Sequence, residues 1–284
     1  MPPPRGSWNP LEGPGDYDVT PTVYNDTYRA IDPVQFNLGG RAVLIVGASR
    51  GIGRAMSVSF AKSDASKIAI AATSMPSETC LEMLAATSDL PIPNPSILPI
   101  QMEVTDQASI ASAVDVVRAE FGHLDIIIIN AGVLTKGRII DSSPEDWARN
   151  WTVSVMGPYL LARAFLPLML AGGEKSIVTV SSVGAHILGV LRLTEFLAAE
   201  HGDDGLVAYS IHPGNVPTDM VGGPGGVDPE IKHGELIFVE TPQLSADSVV
   251  FLTSEGRPWL NGRYINVAWD LPELLEDRRH CRGR

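Results

Sequence analysis

The stretch AVLIVGASRGIG, residues 42–53, constrains the fold more than any other part of the chain. Five apolar residues in a row suit a strand buried on both faces, as in a sheet covered by helices on either side. A glycine-rich turn follows, and the pattern then becomes helical over 52–61. Strand, turn and helix in that order bring the free N–H groups of a helix N-terminus to the carboxyl end of a strand. In such a turn Gly47 makes the tight bend and Gly51 admits a pyrophosphate close to the backbone. Gly53 lets the helix pack near the sheet. Ser49, Arg50 and Ile52 belong to the same turn. The chemistry implied is dinucleotide binding; the alternative is a glycine turn that holds no ligand.

Strand and helix patterns alternate from there onward. KIAIAA (67–72), 97–101, DIIII (125–129), SIVTVS (176–181), LVAYSI (206–211) and YINVA (264–268) read as six further strands. A short helix is expected near 80–86. Another covers 106–121, with Ile110, Ala113, Val114, Val117 and Phe121 at helical spacing. Asp106 suits its N-cap. A long helix covers 147–170, where Pro158 predicts a kink or break. The order implies an α/β fold: a Rossmann-like, doubly wound parallel sheet with helices on both faces. Residues 1–36, rich in Pro, Gly and Asp, read as a tail that lies on the surface or lacks fixed structure. Residues 37–270 read as a single dinucleotide-binding domain, and 271–284 as a second tail, basic over 278–284.

Composition removes several function classes. The net charge of −12 does not suit a nucleic-acid binder. Two cysteines, Cys80 and Cys281, supply no disulfide framework and no thiolate metal cluster. No metal site is expected. The first thirty residues lack an apolar signal core, and no stretch reads as a membrane span. The expectation is a cytoplasmic protein with neither nucleic acid nor membrane as partner.

The end of the second strand decides between nucleotides. An acid there would hold the ribose hydroxyls of NAD. The sequence instead reads Ala71, Ala72, Thr73, Ser74, and Arg50 stands nearby to pair with a 2′-phosphate. NADP is favoured over NAD.

Several motifs now resemble one family. GASRGIG, NAG (130–132), VSS (180–182) and HPGNVPTDM (212–220) are similar to motifs of the short-chain dehydrogenases/reductases, over residues 38–269. PWLNGRYINVAWDLPEL resembles a fungal group with members in specialised metabolism. The resemblance implies hydride transfer between a nicotinamide and a carbonyl or alcohol of a small organic substrate. It implies that Ile52, Asn130, Val216 and Thr218 touch the cofactor, with Ala131 and Gly132 in the Asn-Ala-Gly turn. Pro213 and Gly214 belong to the loop against the nicotinamide. Glu103 stands where the family has an aspartate near the adenine, and Arg163 where a basic residue lies near the cofactor. Ser182 takes the place of the catalytic serine. Assembly into a homo-oligomer is also implied.

The family's proton donor is a tyrosine, with a lysine four residues on that lowers its pKa. That spacing puts both on one helix face. Here SSVGAHILGVLRLTEFLAAE (181–200) holds no Tyr-x-x-x-Lys, and the join from Ser182 to Arg192 is short by roughly a dozen residues against the family spacing. Leu191, Leu193, Phe196 and Leu197 are expected to form the apolar stripe of the remaining helix. None of Tyr17, Tyr24, Tyr28, Tyr159, Tyr209 and Tyr264 has a lysine four residues later. Tyr159 has Arg163 instead, and Tyr209 lies in an expected core strand. His186 and His201 are nearby in sequence. Ser154 replaces the asparagine that supports the lysine through a water. Three readings follow: an NADP-dependent oxidoreductase lineage, a catalytically impaired relative that binds cofactor or a protein partner, and a scaffold that binds no nucleotide.

Overall fold

A computed structural model describes residues 19–135, 142–182, 187–222 and 237–276. Seven strands form one sheet: β1 (Ala42–Val46), β2 (Lys67–Ala72), β3 (Ser96–Gln101), β4 (Ile126–Ile129), β5 (Lys175–Val180), β6 (Leu206–His212) and β7 (Tyr264–Asn266). Their order is β3-β2-β1-β4-β5-β6-β7, and every pairing is parallel. The helices are α1 (Gly51–Lys62), α2 (Ser77–Thr87), α3 (Gln107–Phe121), α4 (Pro144–Trp151), α5 (Gly157–Leu170), α6 (Ile187–His201), α7 (Pro242–Thr253) and α8 (Leu271–Glu276).

The apolar strands are buried on both faces because side chains alternate between two cores. Val43, Ile45, Ile126 and Ile128 join Met56 and Phe60 of α1 and Leu244 and Val249 of α7. Leu44, Val46, Ile127 and Ile129 join Val114 and Val117 of α3 and Leu161 and Phe165 of α5. Pro99 cannot donate a ladder hydrogen bond, and it sits in the edge strand β3 where that costs least. Asp106 caps α3 as expected, accepting from the Ala108 N–H at 2.9 Å.

Three local expectations change. The long helix does not break at Pro158. It widens into a π-turn over Thr152–Met156 and resumes at Gly157. Proline lacks the N–H that would bond to the carbonyl four residues back, and a wider turn absorbs that loss. The whole run Pro144–Leu170, 27 residues, also has the length and apolarity of a membrane span, contrary to the sequence reading. A core helix passes the same test, and here Leu161, Phe165 and Met169 are buried against the sheet. The buried stripe of α6 is Val190, Thr194 and Leu197, whereas Phe196 points to solvent.

The segment before β1 packs rather than trailing free over its described part. Residues 29–31 and 33–35 form two 3₁₀ turns, and Ile31 is fully buried. Val23 bridges to Trp269, and the Tyr24 N–H donates to the Ala268 carbonyl at 2.7 Å. Leu271 and Leu274 of α8 are buried in the same core. Residues 1–18, the basic stretch 278–284 with Cys281, and the glycine-rich loop over 223–236 lie outside the described residues.

Candidate dinucleotide site

β1 and β4 are neighbours, and the chain proceeds from them to opposite halves of the sheet. A crevice opens outside the carboxyl ends of such a pair. The turns leaving these two strands, GASRGIG and NAG, touch each other. Gly47 has φ +87°, and a Cβ there would lie 2.7 Å from the Ala131 nitrogen. A Cβ on Gly53 would lie 2.1 Å from the Gly47 carbonyl oxygen and 2.6 Å from Asn130 Nδ2. Asn130 Nδ2 donates to that same Gly47 carbonyl at 3.0 Å, and its backbone N–H donates to Val46 at 3.0 Å. Asn130 therefore staples the two turns together.

The Gly47 and Ala48 N–H groups are spent on the Ala71 carbonyl, at 2.8 and 3.1 Å. The first turn of α1 begins just beyond them, and no side chain among the described residues caps it. Its N–H groups are left for a ligand, with the positive end of the helix dipole behind them. Opposite stands the loop after β6. Thr218 Cγ2 comes within 3.4 Å of where a Gly51 Cβ would be, and the Thr218 N–H donates to Val216 at 2.8 Å. The structure thus gathers Gly47, Ser49, Arg50, Gly51, Ile52, Gly53, Asn130, Ala131 and Thr218 around one crevice.

A cavity of about 650 Å³ adjoins the turn, lined by Ser49, Arg50, Arg54, Thr73, Ser74 and Asp219. Arg50 is 72% exposed and pairs with Asp219 at 2.9 Å. Arg54 is held by the Ser49 carbonyl at 3.0 Å and by Glu78 and Glu82, both at 3.0 Å. Asp219 did not figure among the expected site residues. Its only signal was its place beside Thr218.

Two further expected residues have surroundings of their own. The Glu103 carboxyl is folded onto its own loop, accepting from the Thr105 N–H at 3.1 Å and the Thr105 hydroxyl at 3.0 Å. The Arg163 side chain is exposed on α5 and forms no ion pair among the described residues.

Ser182 is exposed just past β5, whose ladder to β6 ends with the Ser181 N–H on the Ile211 carbonyl at 2.8 Å. Ser154 lies in the π-turn, with its hydroxyl 3.3 Å from the Val133 N–H and 3.2 Å from its carbonyl. It braces the loop after β4. α6 starts directly against this turn: a Cβ on Gly189 would lie 3.0 Å from Val155 Cγ1 and 3.9 Å from the Trp151 ring. α6 contains neither tyrosine nor lysine.

No described tyrosine has a lysine four residues on. Tyr209 is buried in β6 opposite Val178, and burial pushes its pKa up. Tyr159 is exposed on α5. Tyr24 and Tyr28 stack on each other at 3.7 Å beside α8. His201 bonds to Asp204 at 2.9 Å at the far end of α6. His186 and Tyr17 lie outside the described residues. Among the described residues no group of His, Cys, Asp and Glu is arranged for a metal.

Residues 41–224 match a family model described as short chain dehydrogenase. The chain is 50% identical to the short chain dehydrogenase pigC of Monascus ruber, over 97% of the chain and 94% of that protein. That match spans 288 aligned positions, more than the chain's 284 residues, so the relative carries residues with no counterpart here. The chain is 47% identical to the short chain dehydrogenase tazN of Aspergillus terreus, over 97% of the chain but only 62% of that longer protein. Among solved structures it is similar to a carveol dehydrogenase from Mycobacterium avium in complex with NAD. The TM-score is 0.70 at 26% identity, covering 84% of this chain and 99% of that one.

Proposed function

The chain belongs to the short-chain dehydrogenase family, and we propose that its crevice binds NADP for hydride exchange with a carbonyl or alcohol of a small organic substrate. One observation carries the choice of NADP: the 650 Å³ cavity receives Thr73 and Ser74 from the end of β2, not a carboxylate, and receives Arg50 from the glycine turn. Asp219 is the acid present, and Arg50 already pairs with it. An exposed pair of this kind contributes only ~0–1 kcal/mol, so a 2′-phosphate displaces it at little cost. The glycine turn fits a dinucleotide, since α1 begins without a side-chain cap and Gly51, at φ +56°, offers backbone rather than a side chain to the crevice.

When bound, the nicotinamide supplies or accepts the hydride. The chain's own residues do the rest. The first turn of α1 holds the pyrophosphate, Asn130 fixes the two turns, and the 213–218 loop borders the nicotinamide half. Ser182 donates its hydroxyl to the substrate oxygen. The name of the carveol dehydrogenase, an enzyme named for an alcohol, supports the substrate class.

Arg50→Ala tests the cofactor choice. The dissociation constant for NADPH, followed by the cofactor's fluorescence, rises about tenfold, from the loss of a charge-assisted contact. The constant for NADH stays the same. Equal affinities of the unaltered chain for the two cofactors reject the NADP reading.

A second reading concerns turnover. α6 lacks the tyrosine and lysine, which favours a chain that binds cofactor and transfers hydride slowly. Pairing of two copies belongs to the same proposal. Trp147, Trp151, Tyr159 and Phe196 are exposed on α4, α5 and α6, and aromatic side chains in contact surfaces bury much area. Sedimentation at twice the chain mass is the expected result, and a monomer at micromolar concentration rejects it.

A further inference from the structure

Glu240 is 1% exposed, and the cofactor reading gives it no task. An acid is costly to bury unless its oxygens are engaged. Here Oε2 accepts the Asn215 N–H at 2.9 Å. The stem packs beside Gly214, where a Cβ would lie 2.8 Å from both Glu240 Cβ and Cγ. Gly214 has φ +78°, so the turn over 213–215 is shaped against this one side chain.

Glu240 is itself braced from behind. The next residue, Thr241, caps α7 and is tied to the N-terminal segment twice. Its N–H donates to the Asn25 carbonyl at 2.9 Å, and its hydroxyl donates to Asp26 Oδ1 at 2.6 Å. Thr27 donates to Asp247 of α7. The other oxygen of Asp247 accepts from Ser59 of α1 at 2.6 Å. The Thr22 hydroxyl donates to Glu273 at 2.8 Å, anchoring the segment to α8. Residues 22–27 therefore connect the loop after β6 with the helix that starts at the glycine turn.

We propose that Glu240 is a positioning residue, which residues 25–27 hold in place and which sets the 213–216 turn against the nicotinamide half of the dinucleotide. The proposal rests on the cofactor reading above. It separates the two halves of the ligand, because the glycine turn holds the adenosine half without Glu240. Glu240→Ala weakens NADPH binding about tenfold, the loss expected for one hydrogen bond to a buried acid and the turn it orders. Adenosine 2′,5′-bisphosphate, which lacks the nicotinamide, binds as before. Glu240→Gln keeps an acceptor oxygen and stays within about twofold of the unaltered chain. Glu240→Asp, too short to reach Asn215, repeats the alanine result with less cavity, and decides the matter if the alanine variant does not fold. A folded Ala or Asp variant with unchanged NADPH affinity overturns the proposal. Equal losses for NADPH and the bisphosphate also overturn it, because they mark a merely structural residue. If the unaltered chain binds no dinucleotide at all, the cofactor reading itself fails.

Discussion

A chain that carries Tyr-x-x-x-Lys on an insert of about a dozen residues between Ser182 and Gly189 reduces carbonyl compounds ~10²–10⁴-fold faster than the 284-residue chain. The reason is proton supply. A free phenol has a pKa near ~10, so it delivers a proton near neutral pH only beside a cation that stabilises its anion. α6 carries an arginine, Arg192, but no phenol, and Arg192 is engaged with Glu195 on the solvent side. Tyr209 points its hydroxyl into the core, without a hydrogen-bond partner among the described residues and with its pKa raised by burial. In the proposed reaction Ser182 would orient the substrate oxygen, and a serine hydroxyl is too weak an acid to replace a phenol beside a cation. The check is NADPH oxidation against a panel of small carbonyl compounds, with both chains at equal concentration and with cofactor binding confirmed for each. Equal rates for the two chains reject this account. They would mean that proton delivery does not limit the reaction, or that another group supplies it.

The sheet was legible in the sequence because strands buried on both faces are mostly apolar from end to end. AVLIV, KIAIAA and DIIII each mark a strand whose two sides meet different cores. The glycine turn was legible for a related reason: where a helix presses on a turn, only glycine fits, and the spacing survives as a motif. The brace behind the site was less visible. Thr22, Tyr24, Asp26 and Thr27 make their partners hundreds of residues away along the chain, so their role has no local period. A Pro- and Gly-rich composition then reads as a tail although Ile31 sits in the core. Glu240 gave only a faint sign, a single acid between a short apolar run, 236–239, and a helix start. The π-turn was half legible, since Pro158 announced a disturbance but not its form. Phe196 is apolar yet stands off the buried face of α6, so side-chain apolarity alone does not locate that face. The helix instead buries Thr194, whose hydroxyl meets Ser210 at 2.8 Å.

Gly53→Ala has the largest expected effect of a single added methyl group among the described glycines. The added Cβ would stand 2.1 Å from the Gly47 carbonyl oxygen and 2.6 Å from Asn130 Nδ2. Neither atom gives way easily. The Gly47 backbone is pinned by its N–H on Ala71 at 2.8 Å, and Asn130 is bonded to that same carbonyl. α1 must therefore back off from the sheet, although Met56 and Phe60 on its inner face are fully buried. Overpacking of this kind costs about 1–3 kcal/mol, and the loss of the Asn130 bond adds about 1 kcal/mol. The same displacement moves the helix N-terminus away from the pyrophosphate, so NADPH affinity falls by about 100-fold. Gly40→Ala is the control: φ there is +82°, but nothing lies within 4 Å of the new Cβ. It loses about 1 kcal/mol to backbone strain, with cofactor affinity unchanged. Urea unfolding midpoints and fluorescence titration read both variants. A Gly53→Ala chain that keeps the unaltered midpoint and affinity would show that the glycine turn has room to spare. Close packing of the helix on the turn would then not be what holds the dinucleotide.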